Sequence, residues 1–168
     1  MPVNSLQDEQ RIQELLLYGI LDTPSEENFD DITALAARYF DVPIALITLV
    51  DRDRQWFKSR VGLGVTQTAR DIAFCDTAIQ GTGVMVVTDA RSDARFASNP
   101  LVTGEPGIRF YAGSPLVTPQ GHALGTLCII DRRPRAFSAE QGDALTCWRG
   151  RWAPIWSCGD RRANWRGP

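Results

Sequence analysis

Cys75, in the run Phe74-Cys75-Asp76, is the residue with the most chemistry open to it. It stands at the start of a short predicted helix, where the helix dipole lowers a thiol pKa and raises its reactivity. A buried, inert cysteine fits the same position. Arg109 stands where a loop enters an apolar strand. A guanidinium there can hold an anion through a bidentate fork, or it can form an ion pair with Asp71, Asp89 or Asp93. Tyr111, two residues on, is expected not to share a pocket with Arg109. The run DARSDARF sets Asp89, Asp93, Arg95 and Phe96 in one connection. They read either as an Asp–Arg lattice that fixes the loop or as direct ligand contacts. His122 is the only histidine and follows Gly121 in a turn. A metal site needs several convergent ligands, so no metal is assigned. There is no phosphate-cradling glycine loop, no HExxH and no convincing Ser-His-Asp order, so no catalytic residue is assigned either.

The elements that must position these residues follow from periodicity and turn signals. Phe110 to Val117 and Ala123 to Ile130 are apolar runs joined by Pro119-Gln120-Gly121, which predicts a central antiparallel hairpin. Gly113, Gly125 and Ala112 within it are expected to leave room for another backbone or a ligand. Residues 5–18 fit an amphipathic helix, capped by Ser5, with Leu6, Ile12, Leu15 and Leu16 on its apolar stripe. That stripe serves equally for packing on its own domain or as a dimer seam. Ser25 is expected to cap a second helix, with Phe29, Ile32, Leu35, Ala36 and Tyr39 facing the core. Ile44 to Val50 reads as a buried strand and Gln55 to Gly62 as its partner. Leu63 to Arg70 reads as a loop, Ala73 to Gln80 as a short helix and Val84 to Asp89 as a strand. Residues 90–107 have little periodicity, and an excursion of that length in a compact domain tends to be a lid or binding loop. Ser138 opens a last helix, with Gln141 completing a capping box.

The chain has 168 residues, the size of one domain with a proper core. Its four cysteines form neither a CxxC pair nor a secreted disulfide framework, which predicts reduced thiols and a cytoplasmic location. No leader and no run long enough to span a bilayer is read, so no membrane association is expected. The net charge is −2, and residues 146–168 carry five Arg against one Asp. The acidic remainder argues against a nucleic-acid surface.

The central hairpin RFYAGSPLVTPQGHALGTLCIID, together with LDTPSEENFDDITALAARYFDVPIALITLVD, QWFKSRVGL, AFCDTAI and VTDARSDARFASNPLV in one colinear order, resembles a GAF domain of the type attached to bacterial sensor histidine kinases and diguanylate cyclases. The resemblance implies a PAS-related α+β fold: a central antiparallel sheet of five or six strands with helices on both faces. It also implies a ligand cavity under the long connection, with Phe74, Cys75, Asp89, Phe96, Arg109 and Tyr111 as candidate ligand contacts. The bilin-attaching members place His after the cysteine, where this chain has Asp76. The Asn-Lys signature of cyclic-nucleotide binding is missing, the single lysine being Lys58 after Phe57. No cofactor is supported.

Residues 1–20 are therefore read as an N-terminal helix, 21–145 as the GAF domain, and 146–168 as an aberrant tail. The tail holds four of the five tryptophans and a proline in mid-pattern, without apolar periodicity. Shifted by one base it gives an amphipathic, Glu- and Arg-rich helix, so it is read as a frameshifted exit helix. The expected role is a non-catalytic sensory module of bacterial signal transduction. It would bind an unknown small molecule or partner, form a homodimer through its terminal helices, and relay to a kinase or cyclase output domain lost or encoded elsewhere. The alternatives are a stand-alone redox enzyme, like the free methionine sulfoxide reductases, using Cys75, and an inert domain whose cavity is filled by Phe74, Phe96 and Tyr111.

Overall fold

The computed structural model describes residues 5–149. Its centre is strand β1 (Ile44–Val50), whose uncharged sequence IALITLV is buried from end to end. Such a strand needs cover on both faces and a partner on each edge. It pairs antiparallel with β2 (Arg54–Val61) on one side and β6 (Ala123–Asp131) on the other. β6 pairs in turn with β5 (Phe110–Val117), and the short strands β3 (Gln67–Ala69) and β4 (Met85–Val87) close the edges, giving the order β3-β2-β1-β6-β5-β4. This is the expected α+β architecture with six antiparallel strands.

The period of two along β1 divides the core. Ala45, Ile47 and Leu49 face α1 (Ser5–Tyr18), α2 (Glu27–Tyr39) and α5 (Ala139–Arg149), packing among Leu15, Phe29, Ala36 and Leu145. Ile44, Leu46 and Val50 face α3 (Phe74–Ala78), α4 (Pro100–Thr103) and the long connection between β4 and β5. A bulge in β2 breaks the alternation. Ile47 pairs with Ser59 but Thr48 with Phe57, so Lys58 is the extra residue. Two neighbours can then point to one side. Ser59 Oγ donates to Asp30 Oδ1 (2.6 Å) and shares a hydrogen bond with Thr33 Oγ1 (2.7 Å). Lys58 Nζ, fully buried, donates to Thr23 Oγ1 and the Pro24 carbonyl (2.8 Å each) and pairs with Glu26 at 2.5 Å.

That buried lysine explains where α2 starts. Glu26, not Ser25, is the N-cap residue, and its side chain caps nothing because Lys58 holds it. The expected apolar stripe of α2 is also shifted. Phe29, Thr33 and Ala36 are buried, while Leu35 and Tyr39 are exposed. On α1, Arg11 takes a core position alongside Ile12 and Leu15, and Leu6, Leu16 and Leu17 are exposed. Arg11 can be buried because it donates to the Val50 carbonyl (2.6 Å) and to Asp8 (3.0 Å). β3 lies inside the stretch expected to be a loop, since three residues, Gln-Thr-Ala, show no apolar alternation. The capping box of α5 forms, with Gln141 N donating to Ser138 Oγ and Ser138 N to Gln141 Oε1. α5 runs on through Arg149, so the first residues read as an aberrant tail continue the helix, and the Trp148 ring lies 5.0 Å from Tyr39 and 5.8 Å from Phe40. Residues 150–168 of that tail lie outside the described residues.

The strand glycines make room for this chain's own atoms rather than for a ligand. A Cβ at Gly125 would fall 1.8 Å from the Thr48 carbonyl oxygen, and one at Gly113 would fall 2.2 Å from the Tyr111 hydroxyl. The obstacle on β1 cannot swing aside, because it is ladder backbone. Gly125→Ala is expected to destabilise the chain by about 3 kcal/mol, the upper end of overpacking costs. Urea unfolding should show a lower midpoint at unchanged slope; an unchanged midpoint would show that β1 and β6 separate freely.

Candidate functional site

The second face of the sheet is not filled. Between it and two loops lies a cavity of about 310 Å³. Ile44, Leu46, Cys128 and Ile130 form its floor on the sheet; residues 62–65 wall one side and Leu101, Pro106 and Ile108 the other. The long connection between β4 and β5 supplies too few large apolar side chains to close the space. Gly62, in the left-handed region at φ 76°, lies so close to Pro43 that a Cβ would meet its carbonyl oxygen at 1.9 Å. That contact sets the path of the loop at the mouth.

A small polar knot lies at the base of the cavity. Thr48 on β1 and Thr126 on β6 are directly opposite, their hydroxyls 3.0 Å apart. Cys75 Sγ lies 3.0 Å from Thr126 Oγ1 and 3.2 Å from the Tyr111 hydroxyl. Burial works to raise the Cys75 thiol, but hydrogen bonds from Cys128, Thr126, Thr48 and Tyr111 outweigh it and bring it down to about 7. Burial pushes Cys128 and Tyr111 well up instead, so Cys75 is the member of the group that loses its proton first. The cause differs from the one expected. α3 is five residues long, and the Cys128 thiol together with the converging hydroxyls acts on the sulfur.

The candidate contacts separate into two groups. Phe74, Cys75 and Tyr111 line the cavity. Phe96 stands behind them, stacked on Phe74 at 4.0 Å with the rings 9° from parallel. These aromatics form one end wall and leave the rest of the space open. Asp89 and Arg109 are not among the lining residues. Asp89 accepts from the Arg91 backbone N–H (3.1 Å) and pairs with the Arg91 guanidinium (2.9 Å). Asp93 does the same with Arg95, so the expected lattice consists of local pairs two residues apart. Arg109 Nη1 donates to the carbonyls of Val102 (2.8 Å) and Ile108 (3.2 Å), tying α4 to the root of β5, where the sequence suggested an anion fork or an ion pair. His122 pairs with Glu14 on α1. Gln55, Thr68, Thr48 and Thr126 were not singled out from the sequence. The available signal was a polar residue interrupting each of two apolar strands, Thr48 in β1 and Thr126 in β6; Gln55 and Thr68 stand in strands of mixed composition.

A family model described as GAF domain matches residues 24–147. A Pseudomonas aeruginosa protein named as a cyclic di-GMP phosphodiesterase is 51% identical over 127 residues, which cover 76% of this chain and 22% of that protein. The chain thus spans about a fifth of the curated relative it matches. Among solved structures, the GAF domain of an Acinetobacter phosphoenolpyruvate-protein phosphotransferase superposes with a TM-score of 0.68 at 19% identity, covering 96% of this chain and 98% of that one. A type II free methionine-R-sulfoxide reductase from Thermoplasma acidophilum superposes with a TM-score of 0.62 at 14% identity, over 89% and 94% of the two chains. The match to a protein named as a phosphodiesterase corrects the expectation of a non-catalytic module. Among the described residues no helix is long and apolar enough to cross a membrane.

The polar knot makes a direct prediction for thiol chemistry. Iodoacetamide, small and uncharged, is expected to label Cys75 through the cavity at a rate that rises through pH about 7, the value set by the Cys128 thiol and the hydroxyls around it. Cys128 should stay unlabelled over that range. Peptide mass spectrometry reads both sites, and parallel labelling of the two only in alkaline solution would contradict the assignment.

Proposed function

The chain belongs to the GAF domain family, and from that premise we propose that it is the sensory portion of a cyclic di-GMP signalling enzyme. A small molecule entering the cavity shifts α3, and α3 biases the orientation of α1. The observation that carries this reading is an unbroken chain of polar contacts from the cavity to the terminal helix. Phe74 and Cys75 line the cavity; the next residue, Asp76, accepts from Arg70 Nε at 2.9 Å. Arg70 then binds both oxygens of Asp8 on α1 at 2.9 Å, and Asp8 accepts from Arg11. Arg70 also donates to the carbonyls of Asp51 and Arg52, so it grips the β1–β2 turn at the same time. The hydrogen bonds from Arg70 are the main cause that holds the Asp8 carboxyl below its ordinary range. A ligand needs only to favour one position of α3 to move this equilibrium. Kinship with the Pseudomonas phosphodiesterase over the domain supports cyclic di-GMP as the signalling currency.

A second copy of the chain is the partner this arrangement calls for. Leu6 and Leu17, eleven residues apart and so on one face of α1, are 66% and 77% exposed. The three free thiols among the described residues suit a reducing cytoplasm.

Two measurements test these statements. The chain is exchanged for the matching region of the Pseudomonas relative, and cyclic di-GMP hydrolysis is followed by chromatography. Arg70→Met in that chimera is expected to change the basal rate at least about fivefold, the size of a coupling near 1 kcal/mol; an unaltered rate would remove the relay. For the dimer, Leu17→Asp is expected to convert the purified chain to a monomer by light scattering. The same mass for both proteins would move the seam away from α1.

A further inference from the structure

The lining of the cavity changes character from its floor to its mouth. The interior offers apolar surface from Leu46, Phe57, Phe74 and Ile130. Its polar side chains are largely engaged with one another, Cys75 with Tyr111 and Gln55 Nε2 with Thr68 Oγ1. The mouth carries one acid and one base, Glu105 and Arg132, both exposed. The whole space lies at the small end of ligand pockets, so its occupant is compact.

These two opposite charges are not spent on each other. Arg132 directly follows β6, and its Nε donates to the Pro106 carbonyl at 3.0 Å. That bond places the guanidinium beside the residue next to Glu105. Among the described residues the Nη groups of Arg132 bond to nothing further, and Glu105 enters no ion pair. Arg133 and Arg135, in the same turn, both pair with Asp131 at 3.9 and 3.6 Å. A guanidinium with its Nη end open receives a carboxylate as a fork, and a free carboxylate receives an ammonium.

We infer that the ligand is a free α-amino acid with an apolar side chain. The side chain enters among Phe57, Phe74 and Ile130, the carboxylate meets Arg132 and the ammonium meets Glu105. One carbon carries both charges of such a molecule, which answers a mouth that offers one of each. A simple acid would set a second carboxylate against Glu105, and a simple amine a second cation against Arg132; like charges so placed oppose binding. This inference rests on the proposal that the cavity is a sensory site, and it makes Glu105 and Arg132 the residues that select the ligand.

Leucine, isocaproate and isoamylamine share one side chain and carry both charges, the carboxylate alone or the ammonium alone. Phenylalanine, hydrocinnamate and phenethylamine form a second such set. Each compound is titrated calorimetrically into the full 168-residue chain and into Arg132→Gln and Glu105→Gln. At least one of the two amino acids is expected to bind about fivefold more tightly than its acid or its amine, the upper end for an ion pair open to solvent. Arg132→Gln should cost that amino acid about the same factor without weakening its amine, and Glu105→Gln should do so without weakening its acid. Each variant spares one compound, so a general loss of folding cannot imitate the pattern. An amino acid bound no better than its acid or its amine overturns the inference, and so does the absence of binding by all six. The sensory reading is tested apart from this. An amino acid that binds as expected, yet at saturation leaves cyclic di-GMP hydrolysis by the chimera unchanged, retains the ligand and removes the relay.

Discussion

The hydroxyl pair of Thr48 and Thr126 is the constraint on which the rest of the structure depends. It stands at the middle of a sheet face that is otherwise apolar, joining β1 to β6, and the Thr126 backbone N–H also donates to Thr48 Oγ1 at 3.2 Å. Groups that polar can lie so deep only if each finds partners. Cys75 from α3 and Tyr111 from β5 supply them, so one small network positions a helix over three strands. The same register explains both buried glycines. Gly125 lies under the Thr48 carbonyl, and Gly113 lies under the ring that Tyr111 lays across the strand to reach Cys75.

The two faces of the sheet answer different physical demands. On one, three helices with regular apolar spacing interdigitate into a continuous core from Leu15 to Leu145. On the other, a five-residue helix, a four-residue helix and irregular chain must cover equal area with fewer large side chains. The shortfall is the cavity. It lies beside Gln55 and above the thiols. Asp76 directly follows the two cavity residues on α3, and Arg70 joins it to Asp8 on α1.

Family membership and local chemistry bear on different parts of the problem. Relatives that share this fold at under a fifth identity are named as a phosphotransferase and a methionine sulfoxide reductase, so the scaffold by itself carries no activity. The relationship to a protein named as a cyclic di-GMP phosphodiesterase, at 51% identity over 22% of that protein, is of another order.

What the amino-acid sequence determined by itself was whatever local spacing controls. The apolar runs of β1, β5 and β6, the turn at Gly121 and the capping box at Ser138 and Gln141 were all legible, because periodicity and turn chemistry act over a few residues; the α+β arrangement followed from the family resemblance that those runs carry together. Phe74, Cys75 and Tyr111 were likewise recognisable, as unusual residues beside predicted strand and helix ends. Tertiary structure alone decided what depends on pairing across the sheet. The bulge that turns Lys58 and Ser59 together toward α2, the withdrawal of Arg109 onto Val102, and the choice of Glu26 over Ser25 as N-cap all follow from partners more than five residues away. So does Gln55. In the sequence it is one amide in a strand; only the pairing of β2 with β3 binds its nitrogen to Thr68.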